Sequence, residues 1–566
     1  MSGQSHLLAT RRFLPLFVTQ FLGAFNDNVF KNALVVLLTF QAASWTTLAP
    51  GLLANLAAGL FILPFFLFSA TAGQLADKYD KARLARLVKV LEMLIMLVAG
   101  IGFWLHSLAW LFGALFLLGC HSTLFGPVKY ALLPQHLRHD ELLGGNALVE
   151  AGTFVSILLG TLAGGLLAGA GQPMWIAGAG LVIAVSGYLA SWFIPAAPAP
   201  QPDLEVHANP LAETWRCIGY ARQDHAVFQS ILGISWFWLF GALFLAQFPA
   251  YAKDVLGGAE SAVTLLLATF TLGVGVGSLA CERLSGKRIE VGLVPFGSLG
   301  LTLFALDLAL ASPVSAPAGA PLALADLLDR PGIWRVLADL AAIGLFGGFF
   351  IVPLYALVQS RSQVAMRARI IAANNIMNAL FMVAGALIAA GLLAAGLSIP
   401  ALFAVAAAMN AAVALYIYRQ VPEFLVRFVA WLSMRLSRRV AAEGMAALPV
   451  QGGALLVLDS ESPPTARDLV AVLAASERPI RFLVDPAQAG GFGYGMLLRM
   501  ARAIRSDHLT AGPAALRNGH LVAVAHNPVA PEDLLKQVAV PVFRLVLKPA
   551  PSWAGRTWMR LEALSE

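Results

Sequence analysis

The stretch GQLADKYDKAR (73–83) decides the fold, because its pattern returns as GSLACERLSGKR (277–288) in the second part of the chain. Each stretch contains a glycine, then an acidic residue followed by a basic one, and then a basic cluster. One such turn alone would be typical of a solvated loop. Two copies at matching places indicate an internal repeat, and such repeats are characteristic of secondary transporters.

The composition around these turns is that of a membrane protein. Of the 566 residues, 59% are hydrophobic and 12% are charged, whereas a soluble domain averages roughly 45–50% apolar and about 25% charged. This excludes an ordinary soluble enzyme, a disordered protein and a nucleic-acid binder. The three cysteines are far apart and odd in number, so the sequence predicts no disulfide framework, metal site or cofactor.

Twelve apolar stretches reach the length of about 20 residues that a bilayer requires. They predict an all-α polytopic membrane protein with two six-helix halves, 1–194 and 225–420, and a Pro-rich cytoplasmic linker at 195–224. The predicted spans are 13–40, 48–73, 84–106, 108–126, 144–168, 173–194, 225–250, 259–281, 291–311, 336–358, 373–397 and 400–420.

Lysine and arginine residues are distributed unequally between the two sides of the predicted membrane. Sixteen fall on one side and three on the other, the three being Lys253, Arg330 and Arg335. Because cytoplasmic loops carry the excess of positive charge, we predict that both termini are cytoplasmic. The repeat extends further, since YALLPQ (130–135) with downstream Asn146 is echoed by YALVQ (355–359) with downstream Asn375.

The two turns resemble the loop signature of the major facilitator superfamily, and four further motifs are similar to its bacterial lysophospholipid transporter branch. The motifs are QFLGAFNDNVFKN (20–32), FGPVKYALLPQ (125–135), WFWLFGAL (236–243) and IAANNIMN (371–378). This resemblance over residues 10–420 implies a major facilitator fold in a bacterial inner membrane, with halves that rock around a central site to move lysophospholipid. It also allows an acyltransferase or acyl-ligase partner.

The last segment, 421–566, is more polar and is predicted to be a small cytoplasmic α/β domain. Apolar runs predict strands at 453–458, 479–484, 521–525 and 540–547, with helices at Met496–Ile504 and Pro531–Val538.

The frame of this segment resembles the glycerophosphate acyltransferase domains that accompany the branch. These domains need a His-x-x-x-x-Asp pair, in which the His is the general base, but Ser460 and Thr465 stand at those positions. The phosphate-contacting motif falls on Ala525–Pro528. A catalytic pair of Ser460 with Asp459 or Glu461 lacks a visible orienting group. We therefore predict no catalytic residue and a pseudo-enzyme domain.

Polar residues inside the spans are candidates for the transport site, because an ionisable group there costs about 2.5–3.5 kcal/mol on insertion scales. Span 1 holds Asn26, Asp27, Asn28 and Lys31. Asp27 and Lys31 are four residues apart, so we expect them to pair on one helix face. A structural ion pair is one interpretation. We favour a cavity face on which Lys31 meets the lipid phosphate.

Further candidates for substrate binding are Lys129, Glu150, Gln247, Asn374, Asn375 and Asn378. For any one of them, interhelical hydrogen bonding is the simpler explanation. Glu92 and Asp307 stay unassigned. The candidates for cytoplasmic gating are the turn residues Gly73, Asp77, Lys78, Lys81, Arg83, Glu282, Arg283, Lys287 and Arg288. We expect Asp77 and Glu282 to accept hydrogen bonds from helix N-termini or to pair with arginines in one state of the carrier.

Three other functions are compatible with parts of the sequence. The first is a carrier of the same fold for a small amphipathic solute or drug, driven by protons through Asp27. The second is an acyltransferase anchored by the helices, against which the missing His and Asp argue. The third is a non-transporting scaffold that recruits lipid enzymes through residues 421–566.

Overall fold

The computed structural model describes most of the membrane part and the regular elements of the tail. The described residues are 4–40, 45–46, 48, 50–285, 292–313, 321–420, 426–427, 429–431, 433–434, 440–449, 452–459, 465–476, 478, 480–484, 495, 498–499, 501–505, 511–525, 538–548 and 557–563. Contacts divide the chain into two units, Met1–Ile289 with Gly297–Ala412, and Glu290–Phe296 with Val413–Glu566.

Long helices dominate the membrane part, because a helix satisfies its backbone hydrogen bonds internally in lipid. Those before the linker are α1 Leu14–Phe40, α2 Pro50–Lys78, α3 Lys81–Trp104, α4 Leu108–His136, α5 Leu142–Gly169 and α6 Met174–Ser191. The linker contains α7 Pro210–Arg222. Those after it are α8 His225–Ala250, α9 Glu260–Leu284, α10 Leu293–Ala311, the short α11 Leu324–Leu328, α12 Ile333–Arg361, α13 Arg367–Ala394 and α14 Ile399–Gln420.

Eleven of the described helices are long and apolar enough to cross a membrane. Helix α1 has the length, 27 residues, but the polar block that begins at Asn26 lowers its hydropathy. The twelve predicted spans correspond to these eleven helices and α1. We call α1–α6 the first half and α8–α14 the second half.

Two predicted spans are too short, and prolines explain only the first of them. Helix α4 continues past residue 126 to His136 and contains Pro127 and Pro134, and α13 begins at Arg367 rather than at 373. A proline was expected to end a helix, but in a bundle neighbouring helices tolerate the freed backbone groups. Lys129 therefore lies inside a helix rather than after its end.

The linker is held against the ends of the first-half helices. The backbone N–H of Ala197 donates to the Asp80 carboxylate at 2.9 Å, and that of His207 donates to Gln74 Oε1 at 2.8 Å. Asn209 caps α7, whose first residue is a proline, a combination that favours helix initiation. The predicted linker thus includes a helix.

The second unit contains a seven-stranded sheet with the order β1-β7-β6-β2-β5-β3-β4. Its strands are β1 Val440–Glu443, β2 Ala454–Asp459, β3 Ile480–Val484, β4 Ile504–Arg505, β5 Leu521–Ala525, β6 Val542–Lys548 and β7 Thr557–Ala563. Helices α15 Ala466–Ala475 and α16 Ala511–Arg517 accompany it. Neighbouring strands are parallel except β6 and β7.

The predicted α/β character of the tail is confirmed, but β1, β7, α15 and α16 were not predicted and one residue was placed in the wrong element. Ile504 was assigned to a helix, but it pairs with Leu483 of β3. A two-residue strand carries too little periodicity to be recognised. Residues 531–537, predicted as a helix, lie outside the described part of the chain.

Candidate functional site

A cluster of charged and polar side chains lies inside the first half, where α1, α3 and α4 meet. Its centre is Glu92 of α3, which is fully buried. Glu92 accepts hydrogen bonds from Lys89 and from Asn26 Nδ2, the latter at 2.7 Å. His121 Nε2 of α4 lies 3.2 Å from Glu92 Oε2. We call Asn26, Asp27, Lys89, Glu92, His121 and Ser122 the buried charge cluster.

Asp27 is the charged member of this cluster that retains some exposure, 9%. Its Oδ2 accepts a hydrogen bond from Ser122, and its Oδ1 lies 3.8 Å from His121 Nδ1. Within the described residues Oδ1 has no hydrogen-bond donor. The carboxylate is therefore held from one side only.

The expected ion pair between Asp27 and Lys31 is not present among the described residues. Lys31 Nζ instead lies 5.3 Å from the centroid of the Phe61 ring, in a cation–π contact. An i,i+4 pair contributes only about 0.2–0.5 kcal/mol, so contacts with other helices decide where both side chains point. Asp27 turns to α4 and Lys31 to α2.

Asn28 faces another helix rather than the cluster. Its Nδ2 donates to the Ala24 carbonyl at 2.8 Å. A Cβ added at Gly160 of α5 would lie 2.7 Å from Asn28 Cβ, so the two helices approach closely here. This agrees with the simpler interpretation of a packing contact.

Two tyrosines, Tyr130 of α4 and Tyr355 of α12, stack across the interface of the halves. We call them the tyrosine pair; their ring centroids are 4.6 Å apart, with an interplanar angle of 9°. The Tyr130 hydroxyl donates to Glu150 Oε1 at 2.6 Å, and Trp238 Nε1 donates to the Tyr355 hydroxyl at 3.1 Å. Each hydroxyl is thus bound within its own half. The two tyrosines come from the repeated sequence YAL.

Lys129 and the span-11 asparagines surround the tyrosine pair. Lys129 Nζ lies 4.6 Å from the centroid of Tyr130, and among the described residues it has no carboxylate partner. Asn374 lies beside Tyr355. Asn375 packs against Gly126 of α4, where a Cβ would come within 2.4 Å of its amide nitrogen.

Three further candidates are buried in the structure, and their part in substrate binding stays a prediction. Glu150 is fully buried against Tyr130 and does not face open space. Asn378 accepts a hydrogen bond from Ser235 at 2.9 Å, as helix–helix packing requires. Gln247 is buried in the last turn of α8, far along that helix from Trp238.

The acidic residue of the first turn joins the two halves. Asp77 accepts hydrogen bonds from the backbone N–H groups of Ala368 and Arg369, at 3.1 and 3.3 Å, and from Arg369 Nε at 3.0 Å. It thereby caps the N-terminus of α13 in the opposite half, where a carboxylate is favoured. The contact expected of Asp77 is present, and its gating role stays a prediction.

Gly73 and the linker complete this contact. A Cβ at Gly73 would lie 2.8 Å from Ala372 Cβ and 2.9 Å from Arg369 Cα, so only glycine allows α2 and α13 to approach this closely. Gln201 of the linker accepts a hydrogen bond from Arg369 and donates its own N–H to the Asp77 carbonyl. The Tyr220 ring of α7 lies 5.1 Å from the same guanidinium.

The second turn has a corresponding contact. Glu282 Oε2 accepts a hydrogen bond from the backbone N–H of Gln4 at 2.9 Å. A Cβ at Gly144, in the first turn of α5, would lie 3.2 Å from the Glu282 carboxyl carbon. The acidic residue of each turn therefore lies beside the start of a helix in the other half.

The basic residues of the turns contribute less to these contacts. Arg83 donates its backbone N–H to Asp80, the N-cap of α3, at 2.9 Å. Lys78 lies over Tyr79 and Lys81 is buried. Arg283 belongs to the last turn of α9, whereas Lys287 and Arg288 lie outside the described residues.

Sequence reasoning missed a second polar contact between the halves. Asn146 and Gln359 exchange hydrogen bonds at 2.9 and 2.8 Å, and both are buried. Gln359 is the last residue of the repeated motif YALVQ (355–359), and Asn146 is the asparagine downstream of YALLPQ (130–135), so the repeat contained the signal.

Known proteins similar to this chain are transporters. The chain is 27% identical over 371 residues to the lysophospholipid transporter LplT of Serratia proteamaculans, which is 64% of this chain and 83% of that protein. It is 30% identical over 362 residues to LplT of an Enterobacter species, 63% of this chain and 82% of that protein.

Solved structures show the same fold at low sequence identity. The E. coli fucose:proton symporter FucP matches with a TM-score of 0.54 and 12% identity, over 71% of this chain and 97% of that one. The human organic anion transporter MFSD10 matches with a TM-score of 0.53 and 15% identity, also over 71% of this chain and 97% of that one. Residues 16–327, more than half of the chain, match the Major Facilitator Superfamily, and the chain belongs to this family.

Proposed function

We propose that the chain moves lysophospholipids across the bacterial inner membrane by alternating access. The observation that carries the proposal is that the acidic residue of each repeated turn contacts a helix of the opposite half. Asp77 caps α13, and Glu282 lies at the start of α5. Contacts of this kind can exist on only one side of the membrane in one state of a carrier, so they favour a rocking motion of the halves.

The substrate class follows from the LplT relatives and from two lysines. Lys31 and Lys129 each rest over an aromatic ring, and neither has a carboxylate partner among the described residues. Lys89, by contrast, is neutralised by Glu92. Two lysines on α1 and α4 that form no direct ion pair among the described residues suit the phosphate of a lysophospholipid, which we place between them.

The side with the Asp77 contact is the cytoplasmic side in this proposal, with both chain termini in the cytoplasm. The structure is then the state closed to the cytoplasm. The division into 1–194, 195–224, 225–420 and 421–566 is part of the same proposal.

The tail acts without acyl transfer in this proposal. Thr465 caps α15 and forms a reciprocal pair with Asp468, whose carboxylate accepts the Thr465 N–H at 2.9 Å. Asp459 accepts hydrogen bonds from Arg544. Both residues thus have structural partners. Ser460, Glu461 and 526–528 lie outside the described residues. An acyltransferase or acyl-ligase in the cell would reacylate the product.

The test is uptake of labelled lysophosphatidylethanolamine by proteoliposomes that contain the full chain. Lys31→Gln and Lys129→Gln should each reduce uptake at least tenfold, because each removes one phosphate contact. Lys253→Gln is the control, since Lys253 is exposed in the segment Tyr251–Val255 that follows α8. Wild-type vesicles that accept a polar solute but no lysophospholipid would refute the proposal.

A further inference from the structure

Arginine side chains of the tail begin at the end of a membrane helix. Helix α14 is long and apolar enough to cross the membrane up to Arg419, and the Arg502 guanidinium reaches the Arg419 carbonyl, 3.5 Å from Nη2. The Tyr418 hydroxyl donates to the carbonyl of Pro295, in the first turn of α10, at 2.9 Å. Two membrane helices thus end at this level, and Arg502 lies at the height of the lipid headgroups.

Two further arginines are built into the same part of the tail. Arg427 is buried and donates to the carbonyl of Ser476, the C-cap of α15, at 3.1 Å, where a cation is favoured. Ser476 Oγ donates to the Arg478 carbonyl at 2.7 Å. Arg478 itself donates to the carbonyls of Pro449 and Gly519. Backbone carbonyls therefore fix the positions of both guanidinium groups.

His520, which precedes β5, reports the charge at this place. Burial, and then the positive charges of three arginines, hold the pKa of its imidazole below the usual range. The three are Arg481, Arg478 and Arg502. The carboxylates that the structure describes in the tail lie elsewhere, on β1 (Glu443), β2 (Asp459), β7 (Glu562) and the first turn of α15 (Asp468). The potential around His520 is therefore positive.

The backbone of Arg502 indicates that its side chain is needed. Its φ is 48°, in the left-handed region. Its N–H donates to the Arg499 carbonyl at 3.1 Å, and the next N–H, of Ala503, donates to the Leu498 carbonyl at 2.9 Å. Glycine is the usual residue at such a turn, because it adopts a positive φ without steric cost. The arginine is explained by its charge rather than by the turn.

We propose that these arginines form a surface that binds anionic phospholipid headgroups and holds the tail against the bilayer. We call it the arginine belt; its members are Arg419, Arg427, Arg478, Arg481, Arg499 and Arg502. The leaflet is the one on the side of the tail, which is the cytoplasmic leaflet in the proposed function. Guanidinium groups bind phosphate in a bidentate manner, and basic segments next to a membrane span are attracted to anionic lipids.

The members of the belt divide the work. Arg419, Arg499 and Arg502 are exposed and contact the lipid phosphates. Arg427 and Arg478, held by backbone carbonyls, keep this part of the tail positive. The inference does not depend on which substrate the helices carry.

The experiment measures whether headgroups cover the belt, with the full chain in nanodiscs of phosphatidylcholine alone or mixed with phosphatidylglycerol. The three native cysteines are replaced, and a nitroxide is attached at Asn518→Cys, an exposed position next to Gly519. We expect the nitroxide to be less accessible to a neutral, water-soluble nickel chelate in the discs with phosphatidylglycerol. Access should recover at about 1 M salt, where the Debye length is about 3 Å. A nitroxide at Glu562→Cys, exposed on β7, should be equally accessible in both discs.

Variants assign the effect to the belt. Arg502→Gln should lower the ratio of docked to undocked tails about fivefold, the contribution of one arginine near an anionic surface. Arg502→Gly should do the same without straining the fold, since glycine adopts the positive φ freely. Arg560→Gln is the matched control and should dock like wild type, because Arg560 is exposed on β7, toward the other end of the sheet from β3 and β4.

The opposite results are equally clear. Equal access at Asn518→Cys in the two kinds of disc would overturn the inference, and so would unchanged docking in both Arg502 variants. Inorganic phosphate should displace the tail no more than sodium chloride of the same ionic strength. A stronger effect of phosphate would indicate a site for the free anion and overturn the assignment to the bilayer.

Discussion

Asp77 offers a way to separate the two parts of the contact between the halves. Its carboxylate caps α13 and also pairs with Arg369. Asn caps a helix about as well as Asp, so Asp77→Asn removes only the ion pair, whereas Asp77→Ala removes both. Arg369 is buried and would lose its counter-charge in either variant.

The magnitudes follow from these partners. Breaking a buried ion pair costs about 3 kcal/mol or more, and loss of a cap costs about 1 kcal/mol. Because both contacts exist only when the halves meet on this side, the closed state loses this energy relative to the open one. At about 1.4 kcal/mol per tenfold, the ratio of closed to open molecules should fall roughly 10²-fold in Asp77→Asn and roughly 10³-fold in Asp77→Ala.

The assay is a distance measurement between spin labels at His139 and Val364, which are exposed on this side of the two halves. The background lacks the three native cysteines. We expect a longer distance in Asp77→Asn and a still larger open fraction in Asp77→Ala, with transport slowed more than lipid binding. Unchanged distances in both folded variants would refute the gating role of Asp77.

The remaining predictions concern α1, α2 and the tail. Asp27→Asn should abolish transport while membrane expression stays near normal; full transport by a well-expressed variant would contradict its role in the site. Gly73→Ala should slow transport severalfold, because its Cβ meets α13, whereas Gly59→Ala, with nothing within 4 Å of its Cβ, should transport normally; equal rates would exclude a close approach at Gly73. The purified full chain should transfer no acyl group from acyl-CoA to lysophospholipid, and activity that is lost in Asp459→Ala would overturn the pseudo-enzyme assignment.

The membrane fold was predictable because each span is a long apolar run, and no competing structure satisfies the backbone in lipid. The contact partner of Asp77 was predictable in kind, since a repeated acidic residue at a turn indicates a cap. Its specific partner, the start of α13, was not, because that helix was predicted to begin at 373. The helix start depends on the tertiary contact itself.

The buried charge cluster was harder to find for a different reason. Lys89 is one of the sixteen lysines and arginines counted on the cytoplasmic side, and Glu92, three residues later, stayed unassigned. Their spacing on one helix was a signal of pairing. The contribution of His121 depends on how α3 and α4 pack, and one sequence does not specify which faces of two helices meet. The same limit applies to Lys31 and Asp27.

The polar character of the contact between the halves has a consequence for where this protein can open. When the halves part on this side, Asp77 of α2 loses its backbone donors on α13, and Asn146 of α5 and Gln359 of α12 lose each other. Water replaces these bonds at little net cost, but hydrocarbon does not. At the tyrosine pair, by contrast, stacked ring faces separate, and each hydroxyl keeps a partner in its own half. Hydration of the gate is therefore part of its opening, and a crevice on this side admits solvent before it admits a lipid chain.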